Sequence, residues 1–482
     1  MPKKPEALSF TVIRRPDRVK GLLATAVLVA FLLPASVQAQ ASLVLDPGGM
    51  RALAAESLRA SNWSDARRLS GALLQRDPED LVALTILAQS SFQLGDMDTA
   101  YEAAASIYRS DALDSERYQA ARLAALASAN QDRFTLGEIW LRRALTVAPS
   151  ADDAAQTRTD AAGLRRVNPW STSVSLSFAP SNNVNGGAES NINVIDGVPI
   201  VGILSESAQA LSGWLGETDI RTTYRFRESN EYRTFLSARF AARGVILSQE
   251  SKDRLEADNA RGFDQISASD FSTRRLEFSI GHDQAARRGV FGLDLYGGGY
   301  WSGTDYSYSY LRASGGRTVA VTQQVAVKGS AFYEQRFDPD GNARADTVFG
   351  GQAEVISRLQ NGGQLSATIA YSARESDLLN NASDTWTAHV GYAHGDLVGP
   401  AQLSGQAGVQ FSDFPDYAVG FIRVPDGRQD QRIFATLEAA FPNYSYAGFA
   451  PVLSLDVGQT ESNVSRFNLE AIGIKFGIRS TF

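Results

Sequence analysis

The chain of 482 residues contains no cysteine, only three histidines and three methionines. Without cysteine there can be no disulfide, no thiolate metal site and no lipid anchor on a mature N-terminal thiol, a composition suited to export through an oxidising compartment. His282, His389 and His394 are the whole histidine inventory, and none belongs to an HExxH or other paired-ligand spacing. The stretch FDPDGNARAD brings Asp338, Asp340, Asn342 and Asp346 together, but a calcium loop needs a further ligand before its glycine and a closing glutamate. Pro339-Asp340-Gly341 reads as a turn instead, as does VPDGR at 424–428. There is no glycine-rich phosphate loop and no dinucleotide fingerprint, so no catalytic, metal or cofactor site is expected and the chain reads as non-enzymatic.

Long hydrophobic runs are almost as scarce. The one present, GLLATAVLVAFLL at 21–33, is too short and too early for a stop-transfer helix. Lys3, Lys4, Arg14, Arg15, Arg18 and Lys20 precede it and PASVQA follows, which is the pattern of a secretory signal peptide cleaved after Ala39, with Val37 and Ala39 as the small residues. Arg14-Arg15 is followed by Pro16-Asp17 where a twin-arginine signal needs an apolar pair, so the Sec route is expected. Removing residues 1–39 takes away six basic and two acidic side chains and moves the formal charge from −7 to −11. An acidic exported chain has little basic surface with which to displace counterions from phosphates, and nucleic acid is excluded as a partner.

What the chain does have is two halves of different period. From 40 to 167 it is helical and repetitive. SNWSDA at 61–66 recurs as GDMDTA at 95–100, with a degenerate third copy, QDRFTLG, at 131–137. Trp63, Met97 and Phe134 hold one slot, Ala66, Ala100 and Gly137 a second, and Pro78, Ala112 and Pro149 close the units. A period near 34 with a small residue where two helices cross is the signature of tetratricopeptide-like (TPR-like) repeats, an α-solenoid whose concave groove binds peptide segments. Residues 150–168 read as a last helix and a hinge ending at Asn168-Pro169.

From 168 to 482 the period becomes 2. WSTSVSLSFAP places Trp170, Val174, Leu176 and Phe178 on one face and Ser171, Ser173, Ser175 and Ser177 on the other. About fourteen such segments can be placed in all, joined alternately by tight turns (227–230, 284–289, 315–318, 360–363, 396–400) and, WSGTD at 301–305 apart, by longer connections. An even number of antiparallel strands with this asymmetry points to a transmembrane β-barrel with short periplasmic turns. A soluble sandwich alternates too, but this stretch is too long for one, its polar row suits a wet lumen, and Trp170, Trp386, Tyr392 and Phe441 form an interfacial girdle. In this frame His282 lies on the outward row near the turn end, His389 faces the lumen and His394 sits at a turn.

The final segment, EAIGIKFGIRSTF, alternates Ile472, Ile474, Phe476, Ile478 and Phe482 with small or basic residues. A last strand of this kind is the address read by the barrel-assembly machinery, so that machinery, periplasmic chaperones and outer-membrane lipid are expected partners.

The junction NPWSTSVSLSFAPSNNVNGGAES (168–190) and the C-terminal GIKFGIRSTF resemble the surface lipoprotein assembly modulator (Slam) family. The resemblance implies a signal peptide, a periplasmic TPR domain and a fourteen-stranded outer-membrane barrel. It also implies a translocon that carries a specific lipoprotein or secreted protein from periplasm to surface. No catalytic residues carry over. A polysaccharide exporter is the second reading, since such proteins also join repeats to a barrel, and a passive porin is the third.

Overall fold

The computed structural model describes residues 46–480 apart from 196, 261–265, 340–343 and 421. The signal-peptide site Ala39 and the terminal Phe482 lie outside the described residues. The chain divides into two compact units between Asn168 and Pro169.

Among its described residues the first unit holds seven helices: α1 Pro47–Arg59, α2 Trp63–Arg76, α3 Leu81–Gln93, α4 Met97–Arg109, α5 Asp114–Ala129, α6 Phe134–Thr146 and α7 Ala151–Val167. Each helix packs on the next, giving three antiparallel hairpins and a closing helix. The three hairpin turns use a residue with positive φ at repeat-equivalent positions: Ser61 at 60°, Gly95 at 81° and Asp132 at 59°. In each case the second helix begins two residues later, with Trp63, Met97 or Phe134. Several helix starts carry a side-chain cap. Asp46 accepts from the Gly49 N–H, Asp80 from Ala83, Asp96 from Thr99 and Ser150 from Asp153, satisfying donors that the first turn leaves unpaired. Ala66 and Ala100 are fully buried where their helices cross. Trp140 is fully buried as well, edge-on to Tyr101 and Tyr108 at 5.9 and 5.4 Å.

The expected hinge at Asn168 takes a different form. Asn168 is buried, and its amide donates to Glu138 Oε1 at 2.8 Å, which fastens the end of α7 to α6. A polar residue ahead of proline reads as a linker in sequence; here it is the partner that a buried carboxylate requires.

The second unit is a closed, fourteen-stranded antiparallel barrel. Its strands are β1 Trp170–Ser181, β4 Gly213–Glu228, β5 Tyr232–Leu247, β6 Thr273–Ala286, β7 Gly289–Ser302, β8 Asp305–Ala320, β9 Val325–Phe337, β10 Arg344–Arg358, β11 Gln364–Ser376, β12 Ser383–Ala393, β13 Gln402–Phe414, β16 Arg428–Ala440, β17 Phe449–Ser462 and β18 Leu469–Ser480. Two small hairpins, β2 Ile192–Ile195 with β3 Val198–Ile203 and β14 Ala418–Val419 with β15 Ile422–Arg423, and helix α8 Gln249–Ala260 decorate the longer connections. Those connections lie at one end of the barrel, the loop end, together with the tight β7–β8 reversal at Gly303-Thr304; the opposite end is the turn end.

Side chains alternate as the pleat demands. On β6, Leu276, Phe278 and Ile280 are exposed outward while Glu277 and Gly281 are buried inward. Aromatic pairs sit on the outer face near both strand ends: Trp170 with Tyr224 at the turn end, and Trp301 with Tyr306 and Tyr371 with Trp386 at the loop end.

One expected turn is absent. Gly315-Gly316-Arg317-Thr318 lies within β8, and the reversal comes at 321–324, where the Val321 and Thr322 N–H groups donate to the Val325 carbonyl. The glycines serve close packing between strands. A Cβ on Gly315 would stand 3.1 Å from Leu293 Cδ2, and one on Gly316 3.0 Å from Ser330 Cβ.

Candidate functional site

In the helical unit, α1, α3 and α5 line a groove of about 720 Å³. Its walls mix apolar and amide side chains, among them Leu58, Gln89, Phe92, Gln93, Gln119 and Leu123. Of the signature residues, Trp63 reaches this groove; Ala66, Ala100 and Gly137 sit at helix crossings, Met97 and Phe134 open their helices, and Pro78 and Pro149 lie in the connections between hairpins. Ion pairs spaced alike tie α1 to the start of α3 and α2 to the start of α4: Arg51 to Asp80 at 2.6 Å and Arg67 to Asp96 at 2.5 Å. Burial raises the Asp80 carboxyl, but the Ala83 N–H and Arg51 outweigh it and the group lies below its ordinary value. Asp96 is also held low, by the Thr99 hydroxyl and N–H and by Arg67. Asp160 goes the other way: burial lifts it above the usual carboxylate range, only partly offset by Gln156 and by Arg122 at 2.6 Å.

The barrel interior carries its charges in paired rows. Glu334, almost fully buried, accepts Arg312 Nε at 2.8 Å and Arg336 Nε at 2.7 Å, while Asp346 accepts Arg374 Nε at 3.0 Å. Beside this ladder the Tyr310 hydroxyl donates to Glu277 at 2.6 Å, and Tyr296, Tyr300 and Tyr308 project on the same side. Paired in this way, the charges offset one another's desolvation and leave a polar wall. Asp346, one of the four oxygen ligands of the FDPDGNARAD stretch, is committed to its arginine. Among the described residues no group of three or more His, Cys, Asp or Glu is arranged to hold a metal ion.

The join between β1 and β18 differs from the rest of the wall. β1 is registered with β4 over twelve residue pairs, and β17 with β18 over twelve, whereas β1 and β18 share four among the described residues, from Ser175↔Arg479 to Phe178↔Phe476. Toward the loop end, Ala179, Pro180 and Ser181 keep their register with β4 but have none with β18. Pro180 brings no N–H to a ladder, and prolines of this kind mark strand edges. Side chains reinforce the join on both faces. Outside, Phe178 and Phe476 stack with centroids 6.0 Å apart. Inside, Lys475 Nζ on β18 reaches past β1 to Glu217 on β4 at 3.1 Å and lies 3.5 Å from Asp456 on β17. Arg479 on β18 pairs with Glu438 on β16 at 2.6 Å, on its own side of the join.

Ile474, Phe476 and Ile478, read from sequence as part of the assembly address, all face outward on β18. Lys475 and Arg479 alternate with them and were visible in the sequence. Their partners Glu217 and Glu438 were not, because nothing local connects positions so far apart. His282 faces outward and bonds Thr234, His389 faces inward, and His394 lies in the turn after β12.

At the loop end, two apolar clusters tie the connections down. Val184, Leu211, Val245, Leu247 and Leu255 form one; Ile195, Tyr417, Val424 and Val464 form the other. Beside the second, the Arg428 guanidinium lies over Phe414 at 3.5 Å and Phe467 at 3.7 Å.

No protein-family model matches the chain, and no curated protein is similar to it in sequence. Solved structures with a similar backbone include a BenF-like porin from Pseudomonas fluorescens (6% identity, 65% of this chain and 99% of that one, TM-score 0.35). They also include the Pseudomonas putida toluene transporter TodX (10%, 64% and 89%, 0.31). A Pseudomonas aeruginosa FadL homologue is a third (11%, 65% and 90%, 0.30). At these scores the likeness carries no argument about what this barrel passes, which is left to the chain's own geometry.

Proposed function

We propose that this chain is an outer-membrane translocator that takes a specific lipoprotein or secreted protein from the periplasm to the cell surface, without enzymatic activity. The observation that carries the reading is the direct coupling of a grooved helical solenoid to a closed barrel with an apolar exterior: α7 ends at Val167 and β1 begins at Trp170. A passive pore has no use for a peptide-sized groove. A transporter of polypeptide gains from one, because tethering converts capture at the barrel into an intramolecular step at an effective concentration on the order of millimolar. A fourteen-stranded lumen is too narrow for a folded domain, so the client passes as an extended chain, and its folding outside supplies direction where no nucleotide is at hand.

Deleting the gene and labelling surface proteins on intact cells tests the reading. Loss of one surface protein with its accumulation in the periplasm is expected; an unchanged surface proteome overturns it. The tyrosines beside Arg275 and Arg312 favour polysaccharide export as a second reading, since aromatic faces stack on sugar rings. Loss of capsule with surface proteins intact would select it.

A further inference from the structure

We propose that the barrel opens sideways between β1 and β18 at their loop-end half, with the Lys475–Glu217 ion pair as the latch, and that an extended client bearing an acyl chain leaves through this opening. The inference rests on the translocator reading and adds a route to it.

Three observations bear on this seam. The ladder is short there: four registered pairs against twelve on either side, ending where Pro180 enters β1. The wall is also thin in chemical terms. An outer trough of about 910 Å³, almost entirely apolar, and an inner polar recess of about 300 Å³ share Leu176, Ser177, Glu217, Val452, Gly477 and Ile478, so the few registered pairs next to the unpaired half form part of the wall between them. Parting β1 from β18 would merge them into one passage, polar within and apolar without, which is the profile of a polypeptide carrying an acyl chain. Finally, the loop-end start of β18 is held by a side chain: the Glu470 N–H donates to the Glu189 carboxylate at 2.6 Å. A side-chain cap on a strand edge is released by rotating torsions, whereas a backbone ladder must be unzipped.

The latch is suited to its place because it spans the join. Lys475 is anchored by Asp456 on its own side and by Glu217 beyond β1, so separation of the strands stretches the Glu217 contact and leaves the Asp456 contact intact.

The absence of cysteine makes the test clean. In the full-length protein in phosphatidylcholine vesicles, amides of Ala179, Ser181 and Gly473–Lys475 should exchange with deuterium about tenfold faster than those of Val452–Ser454. Glu217→Gln should speed them further. Pairing Leu176→Cys with Ile478→Cys, which are register partners, should on oxidation abolish the excess exchange, while the control disulfide of Leu176→Cys with Thr218→Cys leaves it unchanged. Seam amides as slow as those of β17, and unmoved by Glu217→Gln, would overturn the opening. In cells, the oxidised Leu176→Cys/Ile478→Cys variant should block delivery of the surface protein identified by deletion, and the control should not. Delivery through a locked seam would overturn the route while leaving the translocator reading standing, since the deletion phenotype tests that reading separately.

Discussion

Gly137 of α6 lies so close to its neighbours that a Cβ on it would stand 2.9 Å from Leu164 Cδ2 of α7 and 3.2 Å from the Ala125 carbonyl oxygen of α5. Alanine here gains about 1 kcal/mol of helix propensity and spends most of it on displacing Leu164, whose end is flexible. Gly137→Ala is therefore expected to leave stability within about 1 kcal/mol. Gly137→Leu has to push α5 away, and overpacking of that kind costs about 1–3 kcal/mol. Urea unfolding followed by helical ellipticity, with the barrel's sheet signal as internal reference, measures both.

The same residue shows what the sequence could reveal. Small residues at 66, 100 and 137 carry the repeat because each marks a crossing, and the positive-φ residues Ser61, Gly95 and Asp132 keep the same 34- and 37-residue spacings. The barrel was legible for an equally local reason, the two-residue alternation of each strand. Gly315-Gly316 was misread as a turn because glycine serves reversals and close strand packing alike, and only the neighbouring strand distinguishes them. The seam was out of reach: Lys475 and Glu217 are 258 residues apart, and no periodicity links them.

Two carboxylates of the helical unit are expected to respond to pH in opposite directions. The folded pKa of Asp96 is depressed, so its contribution is present above the ordinary carboxylate range, about pH 4, and is lost as pH falls through the folded value. Asp96→Ala should cost about 1 kcal/mol at neutral pH, the worth of an N-cap, and progressively less as acid protonates the carboxyl. Asp160 is raised, so its ionisation opposes folding as pH climbs from the ordinary value through the raised one. Asp160→Asn should flatten that slope, whereas Arg122→Ala, which leaves the buried carboxylate without its arginine, should cost about 3–5 kcal/mol. Amide exchange in α4 and α7 across pH reads each in place.

Arg428 is nearly buried, with its guanidinium over the Phe414 and Phe467 rings and 3.2 Å from Asp430. A planar cation suits that slot and an ammonium does not. Arg428→Lys is expected to retain the barrel but to raise exchange in 415–420 and 463–468 several-fold, because the stacking that joins those two connections is lost. Unchanged protection in both would mean that the apolar cluster of Ile195, Tyr417, Val424 and Val464 holds them without it.

Ile369 and Ala370 are neighbours on β11 that face opposite sides of the wall. Ile369 is half-exposed on the outer surface, and Ala370 is registered between Gln352 and Thr387 on the inner one. If the outer surface meets lipid, arginine at 369 near mid-strand costs about 2–4 kcal/mol, whereas the same side chain at 370 enters a hydrated interior at little cost. The temperature at which the folded, fast-migrating form is lost on a gel should fall for Ile369→Arg and stay near wild type for Ala370→Arg. Equal temperatures for the two would mean that both faces meet water, and a barrel wetted on both faces has no place in a membrane.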